Sequence, residues 1–395
     1  MANKKILLPC ALLLLLCSGC WDYREMDSLS IVAGAALDVT PEGLPCFTAE
    51  LADLQQPDVV APQILTGTGE SFLAAGMHAS GQTGRELYFG HAQSVVISQQ
   101  LAQEGVGAAL DYISRQNDNR LSLHLMVSRE ETAAAILQAQ PATEQLGSFE
   151  LSLQAKQKGE KGTDMPFYKF YSELKAPGID PFLPAVSIKE GEKQAQEAQQ
   201  GKDQAEENTP TTQLDGVALF RGDSLCGFLD EQQAQILMML RDNYSGGLMT
   251  VQRPMEEGGD VTFAIDECRR KIQVEVAEDS QIRCTLRLAM EVRVSELQGD
   301  QGILSEEMQQ QVTQLCEEQV KEQAEFLLVQ LQHDYGSDAI GLGLTLSRYE
   351  PDAWQDMQEN WYEWFSKAQF QVDVDANITG TGRTYLPATR GIDQH

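Results

Sequence analysis

The chain has 395 residues and a formal net charge of −30 at pH 7. Such an acidic body repels phosphate backbones and anionic lipid headgroups, so the composition argues against nucleic-acid binding and against membrane docking through a basic patch. A hydrophobic content of 42% is enough for packed cores, and the length is typical of two or three domains.

The amino terminus has the pattern of a secretory signal that ends at a cysteine. Two lysines precede an apolar run, Ile6–Leu16, and the small pair Ser18-Gly19 stands just before Cys20. As a helix the run would span about 17 Å, well short of the roughly 30 Å of a bilayer core, so it predicts a cleaved signal over 1–19. We expect the Cys20 thiolate to accept a diacylglycerol or other acyl lipid, which would hold the body on a membrane. Cys17 stands where a small or aliphatic residue is usual, and an ordinary signal peptide is the alternative.

In the first half of the chain, strands alternate with helices. The predicted strands are Ser30–Leu37, Pro45–Leu51, His91–Ile97 and Leu121–Val127, and the predicted helices are Glu70–His78, Gly105–Ser114 and Glu130–Gln138. Val106, Leu110 and Ile113 recur at helical spacing. A Lys/Gly-rich stretch, Ala155–Pro166, is predicted to be a surface loop. Whether this half is one domain or two stays open.

A polar tract separates the two halves. From Lys189 to Gln213 the chain has no Leu, Ile, Val, Met or aromatic residue, so this tract cannot bury a core and is predicted to be a solvated linker. The sequence therefore predicts a domain over 20–188, the linker over 189–213, a second domain over 214–380 and a tail over 381–395.

Strands dominate the second half. The predicted strands are Gly216–Arg221, Ser224–Phe228, Thr262–Ile265, Lys271–Val276, Arg283–Val294 and Phe370–Ile378, and the predicted helices are Asp230–Arg241, Ser305–His333 and Pro351–Lys367. Gly222-Asp223 favours a tight reversal between the first two strands. Runs of strands broken by helices predict a multidomain α+β fold, in which mixed or antiparallel sheets are flanked by helices and the polar linker joins two halves.

The sequence lacks the motifs of catalysis and of metal binding. Its five histidines have no metal-ligand spacing, and no Cys-x-x-Cys, no G-x-S-x-G and no Walker lysine occurs. We therefore predict that the protein is not an enzyme and that it has no catalytic, cofactor or metal site. Asp373–Asn377 begins like a calcium loop, but Ile378 replaces the required glycine, so an edge strand is the preferred interpretation.

Three further features have a functional and a structural interpretation. His91 is the most site-like histidine, and a cap bonded to backbone is the simpler interpretation. The aromatic face of the last predicted helix, with Trp354 and Trp361, is either a ligand platform or core. Five cysteines remain if Cys20 carries lipid, an odd number that cannot all pair internally. Cys268 and Cys284 form either a disulfide or two buried thiols.

Several motifs in order and at characteristic spacing carry a resemblance to a known family. They are Gly19-Cys20-Trp21-Asp22 with Arg24-Glu25, Ile31-Val32-Ala33-Gly34, Gly69–Gly76, Arg85–Phe89, His91-Ala92-Gln93, Gly216–Phe220, Leu225–Leu229, Gly246-Gly247, Asp334–Gly343 and the helix with Trp354, Trp361 and Phe365. Together they resemble the spore-germination C-subunit lipoproteins, the Ger(x)C family. The similarity covers nearly the whole mature chain.

The resemblance implies a lipid-anchored, non-enzymatic subunit of a nutrient receptor on the outer face of the inner spore membrane. Its partners would be two integral membrane subunits, a larger A-type protein and a transporter-like B-type protein, and the family fold is of mixed α/β domains. Only the acylated Cys20 carries over as a site residue. The sequence does not indicate which nutrient germinant is sensed or whether this chain binds it.

A second hypothesis is a solute-binding lipoprotein of an importer, which would share the signal and the acidic body. A solute binder needs two similar lobes about a hinge, whereas this chain has dissimilar halves and one polar linker. The receptor subunit is therefore the preferred interpretation.

Overall fold

The computed structural model describes residues 28–52, 63–116, 118–159, 163–189, 210–241, 244–252, 259–297 and 306–380. The predicted signal, Cys20 and the predicted tail lie outside these residues. No helix among the described residues has the length and apolar character needed to cross a bilayer.

Two β-sheets organise the described chain. The strands of the first sheet are β1 (Leu29–Val39), β2 (Pro45–Ala52), β3 (Gln63–Thr68), β4 (Glu86–Tyr88), β5 (Ser94–Ile97), β6 (His124–Ser128), β7 (Phe182–Lys189), β8 (Thr211–Arg221) and β9 (Ser224–Leu229). The strands of the second sheet are β10 (Leu248–Val251), β11 (Val261–Val276), β12 (Ile282–Leu297) and β13 (Gln369–Gly380).

Helices lie between and after these strands. They are α1 (Phe72–Gly81), α2 (Gln99–Glu104), α3 (Gly107–Arg115), α4 (Ala133–Gln138), α5 (Gly147–Gly159), α6 (Phe167–Lys175), α7 (Glu231–Arg241), α8 (Glu306–Gln330), α9 (Leu342–Tyr349), α10 (Pro351–Met357) and α11 (Trp361–Lys367). A π-helical turn, Leu331–Tyr335, follows α8, and a 3₁₀ turn, Gln358–Asn360, joins α10 to α11.

The first sheet has a parallel centre and antiparallel flanks. Its strand order is β3-β2-β1-β5-β6-β7-β8-β9, with β4 also paired to β1. The neighbours β1, β5, β6 and β7 run parallel. Every residue of β5 and β6 is buried, as expected for central parallel strands covered on both faces. One face packs in the main core with Phe47, and the other forms a smaller core with Ile136 and Leu151.

The first sheet continues across the predicted linker. Lys189 ends β7 and Thr211 begins β8, and these two strands pair antiparallel from Phe182 with Leu219 to Lys189 with Thr211. Strands from the carboxyl side of the polar tract therefore complete a sheet that begins on its amino side. The division into domains over 20–188 and 214–380 stays a prediction.

The second sheet buries one face only. Its order is β10-β11-β12-β13, antiparallel except for the parallel pair β12 and β13. Along β12 the residues from Ile282 to Val294 alternate between buried and exposed positions, which confirms the predicted one-sided strand. Helices α7 and α8 pack on the buried face, where Val312 and Leu327 of α8 are almost fully enclosed.

Several predicted elements differ from the structure. The first part of the predicted loop Ala155–Pro166 belongs to α5, because Leu151 and Ala155 pack in the smaller core. Thr262–Ile265 and Lys271–Val276 are parts of one strand, β11. The predicted helix Pro351–Lys367 is interrupted by the 3₁₀ turn. The predictions also missed β3, β4, α2, α6, β7, β10 and α9.

Cleavage within the polar tract tests the continuity of the first sheet. We expect a chain with a site-specific protease sequence inserted after Gly201 to stay one particle after cutting, because the β7–β8 ladder and the buried strands around it hold the fragments together. Size-exclusion chromatography before and after cleavage measures this, with the uncut insertion variant as the control. Two fragments that separate under native conditions would contradict the description of a shared sheet.

Candidate functional site

The aromatic face predicted on the last helix is part of the core. The side chains of Trp354, Trp361 and Phe365 are all buried, and the rings of Trp354 and Trp361 meet edge to face with centroids 5.1 Å apart. The ligand-platform interpretation of this face is therefore wrong. The indole N–H of Trp361 in this cluster donates a hydrogen bond to a buried aspartate, Asp338.

Asp338 is fully buried and its carboxylate is surrounded by hydrogen-bond donors. The backbone N–H groups of Leu342 and Gly343 each donate to it at 2.8 Å, and Nε1 of Trp361 donates at 2.9 Å. The two backbone donors belong to the first turn of α9, where N–H groups have no partner within the helix. Asp338 thus connects the start of α9 to α11.

Asp180 lies beside Asp338 and joins it to the first sheet. Its carboxylate accepts hydrogen bonds from the backbone N–H groups of Gly222 and Asp338, at 2.9 and 2.8 Å, and from the hydroxyl of Tyr362 at 2.9 Å. The backbone N–H of Asp180 in turn donates to the carbonyl of Asp338. We call Asp180, Asp338 and their donors the aspartate junction.

Two arginines reinforce the aspartate junction from the second half of the chain. Arg241, the last residue of α7, donates to the carbonyls of Asp180 and Ala339 and pairs with the carboxylate of Glu173. The guanidinium of Arg221 lies 4.3 Å from the ring centroid of Tyr362, a favourable cation–π distance. The positive charge of Arg221 favours the ionised form of the buried Asp180 carboxylate.

Two glycines allow the backbones to approach closely at the junction. The N–H of Leu344 donates to the carbonyl of Gly178 at 2.6 Å. A Cβ on Gly343 would lie 2.7 Å from the Cα of Gly178 and 2.8 Å from both Trp354 and Trp361. Gly178 also has a φ of +73°, which disfavours other residues. Only glycine at both positions permits this contact.

Burial dominates the electrostatics of the junction. Loss of solvent raises the pKa of Asp338 to about 7, and the neighbouring charge of Asp180 adds to that rise, although the three donors oppose it. The pKa of Asp180 is also raised by burial, against the effect of its own donors and of Arg221. Both carboxyls are enclosed and saturated with donors, so they suit a structural connection rather than proton transfer to a substrate.

The other candidate residues named from the sequence do not gather around the junction. His91 is exposed in the turn between β4 and β5, with its ring 6.1 Å from that of Tyr88. Asp373–Asn377 is part of β13, as the edge-strand interpretation predicted. Within the described residues, no group of three or more His, Cys, Asp and Glu side chains has the geometry of a metal site. Cys20 lies outside the described residues.

The described cysteines are free thiols. Cys268 pairs across the ladder with Met290 and Cys284 pairs with Val274, so the two cysteines are six positions apart along the strands, about 20 Å. A disulfide cannot bridge that distance. Burial raises the pKa of both thiols to about 12, which keeps them protonated and unreactive at neutral pH.

Sequence reasoning missed most of the junction. Asp180, Arg241 and Tyr362 carried no motif, because a single Asp, Arg or Tyr between apolar segments usually lies at the surface. Asp338 was found only as part of the segment Asp334–Gly343, without a role. The glycines after Asp338 were the available signal, since they indicate a close backbone approach.

Comparisons with known proteins agree with the resemblance. A family model described as "Spore germination protein N-terminal domain" matches residues 22–188, and one described as "Spore germination B3/ GerAC like, C-terminal" matches residues 215–382. The chain is 22% identical over 382 residues to spore germination protein B3 of Bacillus subtilis (strain 168), covering 94% of this chain and 96% of that protein. It is also 22% identical over 421 residues to spore germination protein KC of the same organism, covering 96% of each.

A solved structure has the same fold. The crystal structure of the GerBC protein matches with a TM-score of 0.56 and 18% sequence identity, covering 91% of this chain and 100% of GerBC. This match confirms the predicted α+β fold, and the family models confirm the resemblance to the Ger(x)C family. The first family match ends just before the polar tract and the second begins just after it.

The aspartate junction predicts a pH-dependent stability. An unfolded Asp titrates near pH 4, whereas buried Asp338 holds its proton up to about pH 7. The folded protein therefore binds more protons in this interval, and the free energy of unfolding falls as the pH rises from about 4 to about 7 because of this group. Urea unfolding across this range measures the slope.

The comparison variants are Asp338→Asn, which cannot titrate, and Asp352→Asn, which changes an exposed carboxylate. We expect Asp338→Asn to be about 1–3 kcal/mol less stable at pH 5, because its amide leaves a buried donor without an acceptor. Its deficit relative to the unsubstituted protein should shrink toward pH 7. A deficit that stays constant across the range would show that Asp338 is ionised throughout.

Proposed function

This chain belongs to the GerAC-like family of spore germination proteins, and from that premise we propose that it is a lipid-anchored, non-catalytic subunit of a nutrient germinant receptor that triggers germination. The observation that carries the proposal is the match of two family models over 22–188 and 215–382, which together span almost all of the mature sequence. The proposed location is the outer face of the inner spore membrane.

The proposed anchor is a diacylglycerol or other acyl lipid on Cys20. Eight residue steps separate Cys20 from Ser28, the first described residue, and a fully extended chain of that length spans at most about 29 Å. The lipid would therefore keep the amino-terminal end of β1 within that distance of the membrane surface. Because the net charge of −30 repels anionic headgroups, the lipid has to supply the affinity.

The proposed partners are the A-type and B-type integral membrane subunits of the receptor. A non-catalytic role is supported by the site geometry, in which the strongly perturbed carboxyls and thiols are enclosed by the fold. The buried contacts of Asp180 and Asp338 hold the regions before and after the polar tract together, unlike the hinge that a solute-binding protein needs. This contrast favours the receptor subunit over the importer alternative.

Replacement of the acceptor cysteine tests the anchor. We expect Cys20→Ala to move the protein from the membrane fraction to the soluble fraction without altering its thermal unfolding, because the thiolate that accepts the lipid is gone. Cys46→Ala, at a half-buried free cysteine, is the matched control and should stay with the membrane. Intact-mass analysis of the processed protein should find an acyl adduct, and a membrane-bound Cys20→Ala variant would contradict the proposed anchor.

Co-purification tests membership of the receptor. The detergent-solubilised protein should carry A-type and B-type subunits with it, in amounts near one to one, after affinity purification from spore membranes. Capture of a stoichiometric small solute without these subunits would instead favour the importer lipoprotein. The Cys20→Ala variant separates complex formation from anchoring, because the same bait is then tested without lipid.

A further inference from the structure

The two sheets have four edge strands, β3, β9, β10 and β13. On the first three, side chains bond to backbone carbonyls that face away from the neighbouring strand. His78 and Gln82 bond to Thr68 and Thr66 at the β3 edge, Tyr335 to Phe228 at the β9 edge, and Gln235 and Gln319 to Leu248 and Thr250 at the β10 edge. Edge strands with free backbone groups accept strands from other chains, and such coverage prevents that pairing.

The fourth edge, that of β13, is different. At twelve residues β13 is the longest of the four edge strands. Among the described residues, one side chain reaches its free edge: the carboxylate of Glu317 accepts a hydrogen bond from the N–H of Ala376 at 2.8 Å. No described side chain donates to the carbonyls on this side.

The direction of the free backbone groups follows from that bond. Backbone groups of alternate strand residues point the same way, so the N–H and C=O groups of Val372, Val374 and Ile378 face outward together with those of Ala376. It follows that the odd-numbered residues of β13 direct their backbone groups toward β12, the parallel neighbour of β13. Val374 and Ile378 are partly exposed, whereas Val372 and Ala376 are buried. A segment of about eight residues would therefore pair at Val374 and Ile378 and would replace Glu317 at the N–H of Ala376.

A groove lies where an added strand would sit. It has a volume of about 740 Å³ and runs between the side of α8 and the edge of β13, with Gln310, Thr313 and Gln314 on the helix side and Val372, Val374 and Ile378 on the strand side. This volume is within the range of about 300–1,000 Å³ that is typical of ligand sites. A peptide in extended conformation could bond to the strand edge on one side of this groove and to the polar helix residues on the other.

We propose that the free edge of β13 binds an extended, basic segment of a partner protein, which pairs as a fifth strand of the second sheet. Charge supports this occupant, because Glu306, Glu317, Glu318 and Asp373 line the groove and Lys321 is the one cation there among the described lining residues. A second copy of this chain would bring the same acidic groove and a further −30 charges against the first. Strand addition gives affinity through the main chain, and the acidic lining selects the sign of the partner's side chains.

The experiment uses the full protein and a labelled synthetic peptide of alternating lysine and valine, eight residues long. Fluorescence anisotropy should show binding of this peptide, and a peptide of the same sequence with N-methyl groups on alternate residues should not bind, because it cannot complete the ladder. Val374→Pro removes one outward N–H at a position where an edge strand accepts proline. We expect it to weaken binding about tenfold, the effect of roughly 1.4 kcal/mol.

Control variants keep the result interpretable. Thr68→Pro makes the same change at the covered β3 edge and should leave peptide affinity unchanged. Glu318→Lys reverses a charge in the groove without removing a bond to β13, so it should also weaken binding if Val374→Pro fails to fold. Equal binding of the N-methylated peptide, or no binding of either peptide, would overturn the proposal. A dimer of the unsubstituted protein that Val374→Pro dissociates would assign the edge to a second copy and would also overturn it.

Discussion

The connection between the parts of this molecule depends on two buried carboxylates that belong to one continuous network of hydrogen bonds. Asp338 orders the start of α9 and bonds to α11, while Asp180 bonds to the turn after β8 and to the backbone of Asp338. Each acceptor satisfies donors that would otherwise be buried without partners, a condition that costs about 1–3 kcal/mol for each group. The arrangement can be kept only as a whole, because removing either aspartate leaves several donors unsatisfied at once.

This constraint explains why glycine and tryptophan occur where they do in the carboxyl-terminal half. The backbones at Gly178 and Gly343 meet more closely than any side chain allows, and the indoles of Trp354 and Trp361 enclose that contact. The segment Asp334–Gly343 and the aromatic helix residues therefore serve one packed site. In the proposed receptor subunit, such a rigid connection would move the two regions as one body.

The sequence predicted the elements in which one rule decides the structure. Regular alternation identified β12, and Asp230 begins α7 with reciprocal hydrogen bonds to Gln233 that form a capping box. The sequence did not predict α5, because its buried face includes Ser148 and Ser152 beside Leu151. Polar residues on a buried helix face hide the apolar period on which helix prediction depends.

Long-range pairing was the other limit. The ends of the polar tract form a ladder between β7 and β8, although no local pattern distinguishes a loop within a sheet from a linker between domains. The same limit applied to the aspartate junction. The sequence identified the segment that contains Asp338, but it did not identify Asp180 and Arg241, because their role depends on contacts with residues far away in the chain. Residue type and spacing cannot report such contacts.

The antiparallel pairing of β7 with β8 makes the polar tract the connection between two neighbouring strands of one sheet. Because the entropy of closing a loop grows only with the logarithm of its length, doubling the tract would cost about 0.6 kcal/mol. The length of this connection can therefore change with little thermodynamic penalty, which makes it a suitable place to insert an epitope or a fluorescent reporter.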